Sequence, residues 1–264
     1  MALLRRNEPE LVMETPESVE AFNWAGSPGG PLYATYHVLA SAVSRRVPEG
    51  ATVVDVFCGS GRFLRRLLRG RPDLRGVGVD LSAEMLRLAA TGFAEDGLTD
   101  RVELVRADAR DLDRVVDGPV AAIVSMSALH HCPTRDDFVA VLAAIARVQA
   151  RDDAAVWLFD LVRPDEQALL ERIPRSYEIV AGARLPPAFR ADWITSLHAG
   201  WTVAEFGDAA RDAGLVVESS AGDYSQLHRA LPSSAGEGPA WTGPAPDDAD
   251  RRRIERLTAA LGLG

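Results

Sequence analysis

The sequence predicts an α/β domain built on an open, mostly parallel sheet with helices on both faces. Three observations carry this. Apolar runs of strand length alternate with stretches whose apolar residues recur at helical spacing. The first run is joined to its helix by a glycine turn, Gly59-Ser60-Gly61. Three successive runs carry an acid at their end: Asp55, Asp80 and Asp108.

Residues 1–15 are polar and read as a mobile leader. Two helices are expected between Pro16 and Val47. The first, Glu17 to Trp24, carries Val19, Phe22 and Trp24. Gly26-Ser27-Pro28-Gly29-Gly30 breaks it. The second runs from Pro31 to Arg46, with Tyr36, Leu39, Ala40 and Val43 on one face.

Thr52 to Val56 is β-branched and reads as a buried parallel strand. Gly59 and Gly61 let the backbone turn sharply and approach a ligand. Phe63, Leu64, Leu67 and Leu68 then mark a helix, whose first N–H groups face whatever occupies the turn. A strand, a glycine turn and a helix open a nucleotide-binding βαβ unit. A dinucleotide site would want a third glycine where Leu64 stands. The second strand, Gly76 to Asp80, ends in an acid suited to ribose hydroxyls. Ser82 is placed to cap the next helix, Ala83 to Phe93, which leaves Asp80 free for a ligand. The third strand, Val102 to Arg106, runs into Ala107-Asp108-Ala109.

The pattern Asp55-x-x-x-Gly59-x-Gly61, with Asp80 and Asp108 in register after it, resembles class I S-adenosylmethionine (SAM)-dependent methyltransferases over residues 30–230. The resemblance implies a Rossmann-like fold with a seven-stranded, mostly parallel sheet of order 3-2-1-4-5-7-6. It implies SAM as cofactor and S-adenosylhomocysteine (SAH) as product. The cofactor would lie on Asp55, Phe57, Gly59, Gly61, Asp80, Leu81, Met85, Asp108, Ala109 and Ser125. Many members carry glycine where this chain has Phe57. By the same resemblance, residues 1–47 would hold lid helices over SAM, and residues 48–231 the SAM-binding domain.

Strand four, Val120 to Met126, runs into Leu129-His130-His131-Cys132-Pro133, and a helix follows from Asp136 to Gln149. Ligands of open α/β sheets bind beyond the carboxyl ends of the strands. Ser125, Met126, His130 and His131 therefore belong near the reactive methyl. Leu-His-His here resembles the small-molecule branch of the family. The Pro-Pro-aromatic motif of DNA and amide methyltransferases is absent. Strand five is Ala155 to Asp160. Residues 165–201 interrupt the β/α rhythm with Tyr177, Phe189, Trp193 and Trp201, and are expected to cap the substrate. Trp193, Leu197 and Trp201 fall on one helix face. Trp24, Met126, Phe189, Trp193 and Trp201 are the expected substrate contacts. Thr202 and Glu205 form a capping box for a helix reaching Ala213. Two strands, Leu215 to Ser219 and Tyr224 to Leu231, turn at Ala221-Gly222-Asp223. Residues 232–264 read as a Pro/Gly/Ser-rich linker and a last helix, Asp247 to Leu261.

Composition narrows the function. The 264 residues carry a net charge of −9 and are 47% hydrophobic. An acidic chain suits no nucleic-acid backbone. No apolar run reaches the ~18 residues of a membrane span, and the N-terminus lacks a signal-peptide core. A cytoplasmic protein is expected, monomer or homodimer. Every basic side chain is arginine, which rules out Schiff-base chemistry and a Tyr-x-x-x-Lys reductase pair. Two cysteines without paired spacing offer no zinc site, and no His/carboxylate set shows metal-ligand spacing, so the expected reaction is metal-independent.

The expected function is methyl transfer from SAM to a small, hydrophobic or aromatic molecule in secondary metabolism, at an O, N or C acceptor. His131 or His130 is the candidate general base, since imidazole titrates near neutral pH. His37 and His198 are weaker candidates. The alternative is a SAM-binding domain used for non-methylating catalysis or as a binding module.

Overall fold

The computed structural model describes residues 3–9, 15–181, 184–222, 224–232, 238–243 and 248–263. Residues 1–2 and 10–14 of the leader, the turn residue Asp223, most of the linker and the Asp247 helix start lie outside them.

Two helices, α1 (Pro16–Ala25) and α2 (Pro31–Ser44), precede the first strand. Then β1 (Thr52–Val56), α3 (Arg62–Gly70), β2 (Arg75–Asp80), α4 (Ala83–Glu95), β3 (Val102–Arg106) and a short α5 (Leu112–Val115) follow. β4 (Ala122–Met126), α6 (Arg135–Asp152) and β5 (Ala155–Leu161) complete the parallel part. The sheet has seven strands in the order 3-2-1-4-5-7-6, the order expected. β1 pairs in parallel with β2 on one side and β4 on the other. β1 and β4 emerge on either side of the switch point, where a crevice opens beyond their carboxyl ends.

Alternation along the strands fills both faces. Val54, Val56, Ile123, Val156 and Leu158 point toward α6 (Phe138, Leu142, Ile145) and toward Phe206 and Ala209 of a later helix. The intervening residues Val53, Val124, Trp157 and Phe159 point the other way, toward α2, α3 and α4 (Leu39, Val43, Leu64, Leu67, Phe93). A sheet covered on both faces has strands with no polar side, which is why β4 and β5 are buried along their whole length.

The interruption after β5 is a pair of helices, α7 (Gln167–Ala181) and α8 (Pro187–Ala199). With α1 they form a separate cluster of Ala21, Ala25, Leu161, Leu170, Phe189, Trp193 and Leu197 above the strand ends. Trp201 departs from the expected helix face. α8 stops at Ala199, and Trp201 instead bridges Val162 in parallel pairing. Its ring stacks on Phe138 at 4.7 Å and its Nε1 donates to the Leu129 carbonyl. It is a core residue beneath the site.

α9 (Val203–Asp212) starts on the Thr202/Glu205 capping box. The closing hairpin is β6 (Glu218–Ala221) and β7 (Ser225–Ala230), with β7 antiparallel to β5. The first of these strands begins three residues later than expected. α10 (Asp248–Ala260) packs Leu261 and Leu263 against the α2 side of the core. Among the described residues, no helix is long and apolar enough to cross a membrane.

The leader reading fails for residues 3–9. Arg5 donates to the carbonyls of His130, Cys132, Pro133 and Ala199 and lies over the Trp201 ring. Polarity alone suggests solvent, but an arginine that satisfies four partly buried carbonyls is a structural strap.

Candidate active site

A cavity of about 250 Å³ opens beyond β1, β2 and β3. The β1–α3 turn forms its floor. Gly59 and Gly61 have φ of 53° and 71°, and a Cβ on Gly61 would stand 2.7 Å from the Phe93 ring. Phe57 shares this left-handed region, with φ of 59°. Phe57 thus holds a conformation that L side chains rarely adopt.

Asp80 ties the second strand to this turn. Its Oδ2 accepts from the Gly59 N–H and its Oδ1 from the Ser82 N–H, both at 2.8 Å. Ser82 caps α4 by accepting from the Met85 N–H. Burial raises the Asp80 pKa, against the lowering effect of those N–H bonds. Asp55 is deeper. Burial first, then the neighbouring Asp80 carboxylate, push its pKa well above the usual range. Its Oδ2 is buried with no partner. Asp108 is different: Arg110 binds both its oxygens and holds its pKa down. Leu81, Met85, Asp108, Ala109 and Met126 join Asp55, Phe57, Gly59 and Asp80 in the lining.

A second, smaller cavity lies under α1 and α8 and meets the first at Phe22, Ser127 and His131. Its wall is aromatic and aliphatic, with Leu32, Phe159, Leu161, Phe189, Trp193 and Tyr224. Polar groups enter from Thr35, His130, His131, Asp192 and Ser196.

The two histidines sit in a short 3-10 turn after β4, with ring centroids 4.5 Å apart. His130 is held by Asp160 at the end of β5. Asp160 Oδ2 accepts the His130 backbone N–H at 2.7 Å, and Oδ1 faces Nδ1 at 2.6 Å. Burial opposes charge on His130, but the attraction and hydrogen bond of Asp160 outweigh it and the pKa rises. His131 keeps some accessible surface although it lies deep in the protein. Burial, helped by repulsion from His130, drops its pKa well below 6.5, so the ring is neutral. His131 Nδ1 has no hydrogen-bond partner. Cys58 and Cys132 also line the first cavity, but burial pushes both thiols up, Cys132 to about 12, and leaves no thiolate.

Several expected residues fall elsewhere; Gly61 shapes the turn but lines neither cavity. Ser125 lines neither cavity: it is 0% exposed inside β4, and Ser127, two residues beyond it, reaches the ligand side. Trp24 packs edge-on against Phe189 behind the cavity wall. Trp201 lies in the core, as described. His37 packs edge-on against Trp241 at 4.6 Å and lines neither cavity. His198 accepts an N–H from Arg6 through its carbonyl and lines neither cavity.

Sequence reasoning missed several contributors. Asn23 Oδ1 accepts from Arg62 Nε at 2.7 Å and from Ser60 Oγ at 3.2 Å, tying α1 to the glycine turn. Glu8 reaches the histidines from the strap. Its Oε1 stands 3.7 Å from His130 Nε2 and accepts from Ser196 Oγ at 2.6 Å. No periodicity marks such residues. An acid at the end of the fifth strand, Asp160, was the one available signal.

Residues 53–152 match the model of a methyltransferase domain. A probable chloroplastic tocopherol O-methyltransferase of Oryza sativa subsp. japonica is 28% identical over 179 residues, 59% of this chain and 49% of that protein. The chain spans half or less of the length of the curated relatives it matches. Among solved structures, an O-methyltransferase family protein from Burkholderia thailandensis superposes with a TM-score of 0.58 at 22% identity, over 82% of this chain and 60% of that one. An O-methyltransferase from neocarzinostatin biosynthesis, solved with SAH and 1,4-dihydroxy-2-naphthoic acid, gives a TM-score of 0.55 at 22% identity, over 80% and 56%. At that identity the likeness is one of fold. Domain match, sheet order and glycine turn agree: the chain carries a methyltransferase domain over residues 53–152.

Proposed function

We propose that this protein transfers the methyl group of SAM to a hydroxyl oxygen of a small, largely aromatic molecule. The observation that carries the reading is the junction of the two cavities at His131, Ser127 and Phe22. One cavity has the polar turn and acids of a nucleoside site, and the other an apolar wall with a few polar groups. The second kind of lining suits a small hydrophobic ligand. The O-methyltransferases that the chain resembles support the choice of oxygen.

The residues present fit SAM. Asp80 keeps lone pairs for two vicinal ribose hydroxyls beyond its bonds to Gly59 and Ser82. Asp108 and Ala109 lie where the adenine edge would rest. The unpartnered Asp55 Oδ2 suits a cationic group. When bound, SAM supplies an electrophilic methyl on a sulfonium.

The protein aligns the acceptor and removes its proton. Phe189 and Trp193 clamp the acceptor ring in the second cavity. His131, neutral and at the junction, takes the hydroxyl proton as the oxygen attacks the methyl. Bound SAM would supply the methyl group, its sulfur keeping the bonding pair, and the proton taken by His131 returns to solvent. His130, fixed by Asp160, holds the turn that presents His131. α1 acts as the lid, anchored through Asn23 and presenting Phe22 to both cavities.

The test is incubation with SAM carrying a labelled methyl and a panel of hydroxylated aromatic acids. Label in an acceptor oxygen, with one SAH per product, is expected. SAH binding without transfer to any hydroxyl, amine or carbon acceptor would favour a non-methylating role.

A further inference from the structure

Glu8, His130 and His131 are far apart in sequence but converge beside the acceptor cavity. One ligand-capable atom of each lies within 4.8 Å of the other two, the one such His/carboxylate group among the described residues. The Glu8 and His130 side chains are 6% and 3% exposed. Asp160 holds His130 by Nδ1 and leaves Nε2 facing Glu8. An outer carboxylate fixing the far nitrogen of a histidine is the usual support of a metal-bound imidazole. His131 Nδ1 is buried and unpartnered beside it.

We propose that Glu8, His130 and His131 form a site for a divalent transition-metal ion of the zinc class, and that filling it ties up His131 at the junction of the two cavities. Two imidazole nitrogens and one carboxylate oxygen are a zinc donor set, whereas magnesium and calcium prefer oxygen alone. Ligands of a tetrahedral zinc, at about 2.0–2.1 Å from the ion, stand a little over 3 Å apart. The 3.7 Å between Glu8 and His130 is close to that, so small side-chain shifts complete the site. Glu8 is carried on the N-terminal strap, which Arg5 anchors. The site therefore depends on a segment outside the methyltransferase domain match. No redox change is involved: the ion takes one lone pair from each neutral imidazole and from the Glu8 carboxylate, and protons displaced from these groups go to solvent. Loss of turnover on filling rests on the reading of His131 as base; the site itself does not.

The experiment is calorimetric titration of chelator-treated, full-length protein with ZnCl2, without SAM or acceptor. Cobalt(II) is added in parallel and its visible spectrum recorded. One zinc per chain and a tetrahedral cobalt spectrum are expected, with no binding of MgCl2. Glu8→Gln keeps the hydrogen bond to Ser196 but weakens the ligand, and should reduce zinc affinity by at least roughly 10-fold. SAH binding to the same variant, which does not touch the cofactor cavity, verifies its fold. Absence of stoichiometric zinc uptake, or equal affinity in Glu8→Gln, would overturn the site. Zinc should then slow methyl transfer in proportion to occupancy, and unchanged or faster transfer would overturn the blocking of His131. The titration needs no methyl transfer, so failure of one reading leaves the other standing.

Discussion

The Gly59 N–H donates to Asp80 Oδ2 at 2.8 Å, so the glycine turn of one strand and the acid of the next are a single unit. A carboxylate that organises the turn and also holds the ligand should be sensitive to removal. Asp80→Ala is expected to weaken SAM binding by about 1–3 kcal/mol, the range for losing a charged hydrogen-bond partner. It should also lower thermal stability, because the Gly59 and Ser82 N–H groups lose their acceptor. Calorimetry and melting curves on the same variant check both. Unchanged affinity would remove Asp80 from the site.

Asp55 gives a pH prediction. Its folded pKa lies above its ordinary 3.8, raised by burial and by Asp80. The folded state thus holds its proton longer than the unfolded chain. That contribution to stability is full below pH 3.8 and is lost as pH rises through the folded pKa. Asp55→Asn cannot ionise. Without ligand, the variant should melt higher than wild type at pH 8, and the advantage should shrink toward acid pH. A variant destabilised equally at both ends would show that Asp55 acts by shape alone.

Arg5 should matter well beyond its exposed neighbours. Arg5→Ala strips a donor from four carbonyls around the His130 turn and the end of α8. A loss of about 1–3 kcal/mol in denaturant unfolding is expected, with turnover reduced and SAH affinity kept. An effect on SAH affinity alone would place the strap at the other cavity.

The lid is tested by hydrogen exchange. α1 is tied to the glycine turn through Asn23 and lines both cavities through Phe22. Amides of residues 16–25 should exchange more slowly with SAH bound. Equal exchange with and without SAH would make α1 a fixed wall.

Much of this was legible in the sequence because it is local. Strand, glycine turn and acid lie within a few residues of one another, so Asp55, Gly59, Asp80 and Asp108 declare themselves. The order of the sheet followed from the resemblance those residues carry. What stayed hidden depends on distance or on where an element ends. Glu8 and Arg5 act across more than a hundred residues, and nothing in a polar leader announces it. Ser125 follows from expecting strand four to deliver its last residues to the ligand. The strand is buried to its end, and the first turn residue does so instead. Trp201 fitted a helical spacing that α8 does not continue far enough to use.

His131→Ala separates chemistry from binding. Turnover should fall by roughly 10²–10⁴-fold, while SAH affinity stays as in wild type. A loss under about tenfold would make His131 a positioning residue and favour an amine or carbon acceptor that needs no base.

The central claim, that the first cavity is a SAM site, is tested most directly by calorimetry of the wild-type protein with SAH and with NADPH. Saturable binding of one SAH per chain, weakened in Asp80→Ala, and no heat with NADPH, is the predicted result. NADPH binding without SAH binding would contradict it.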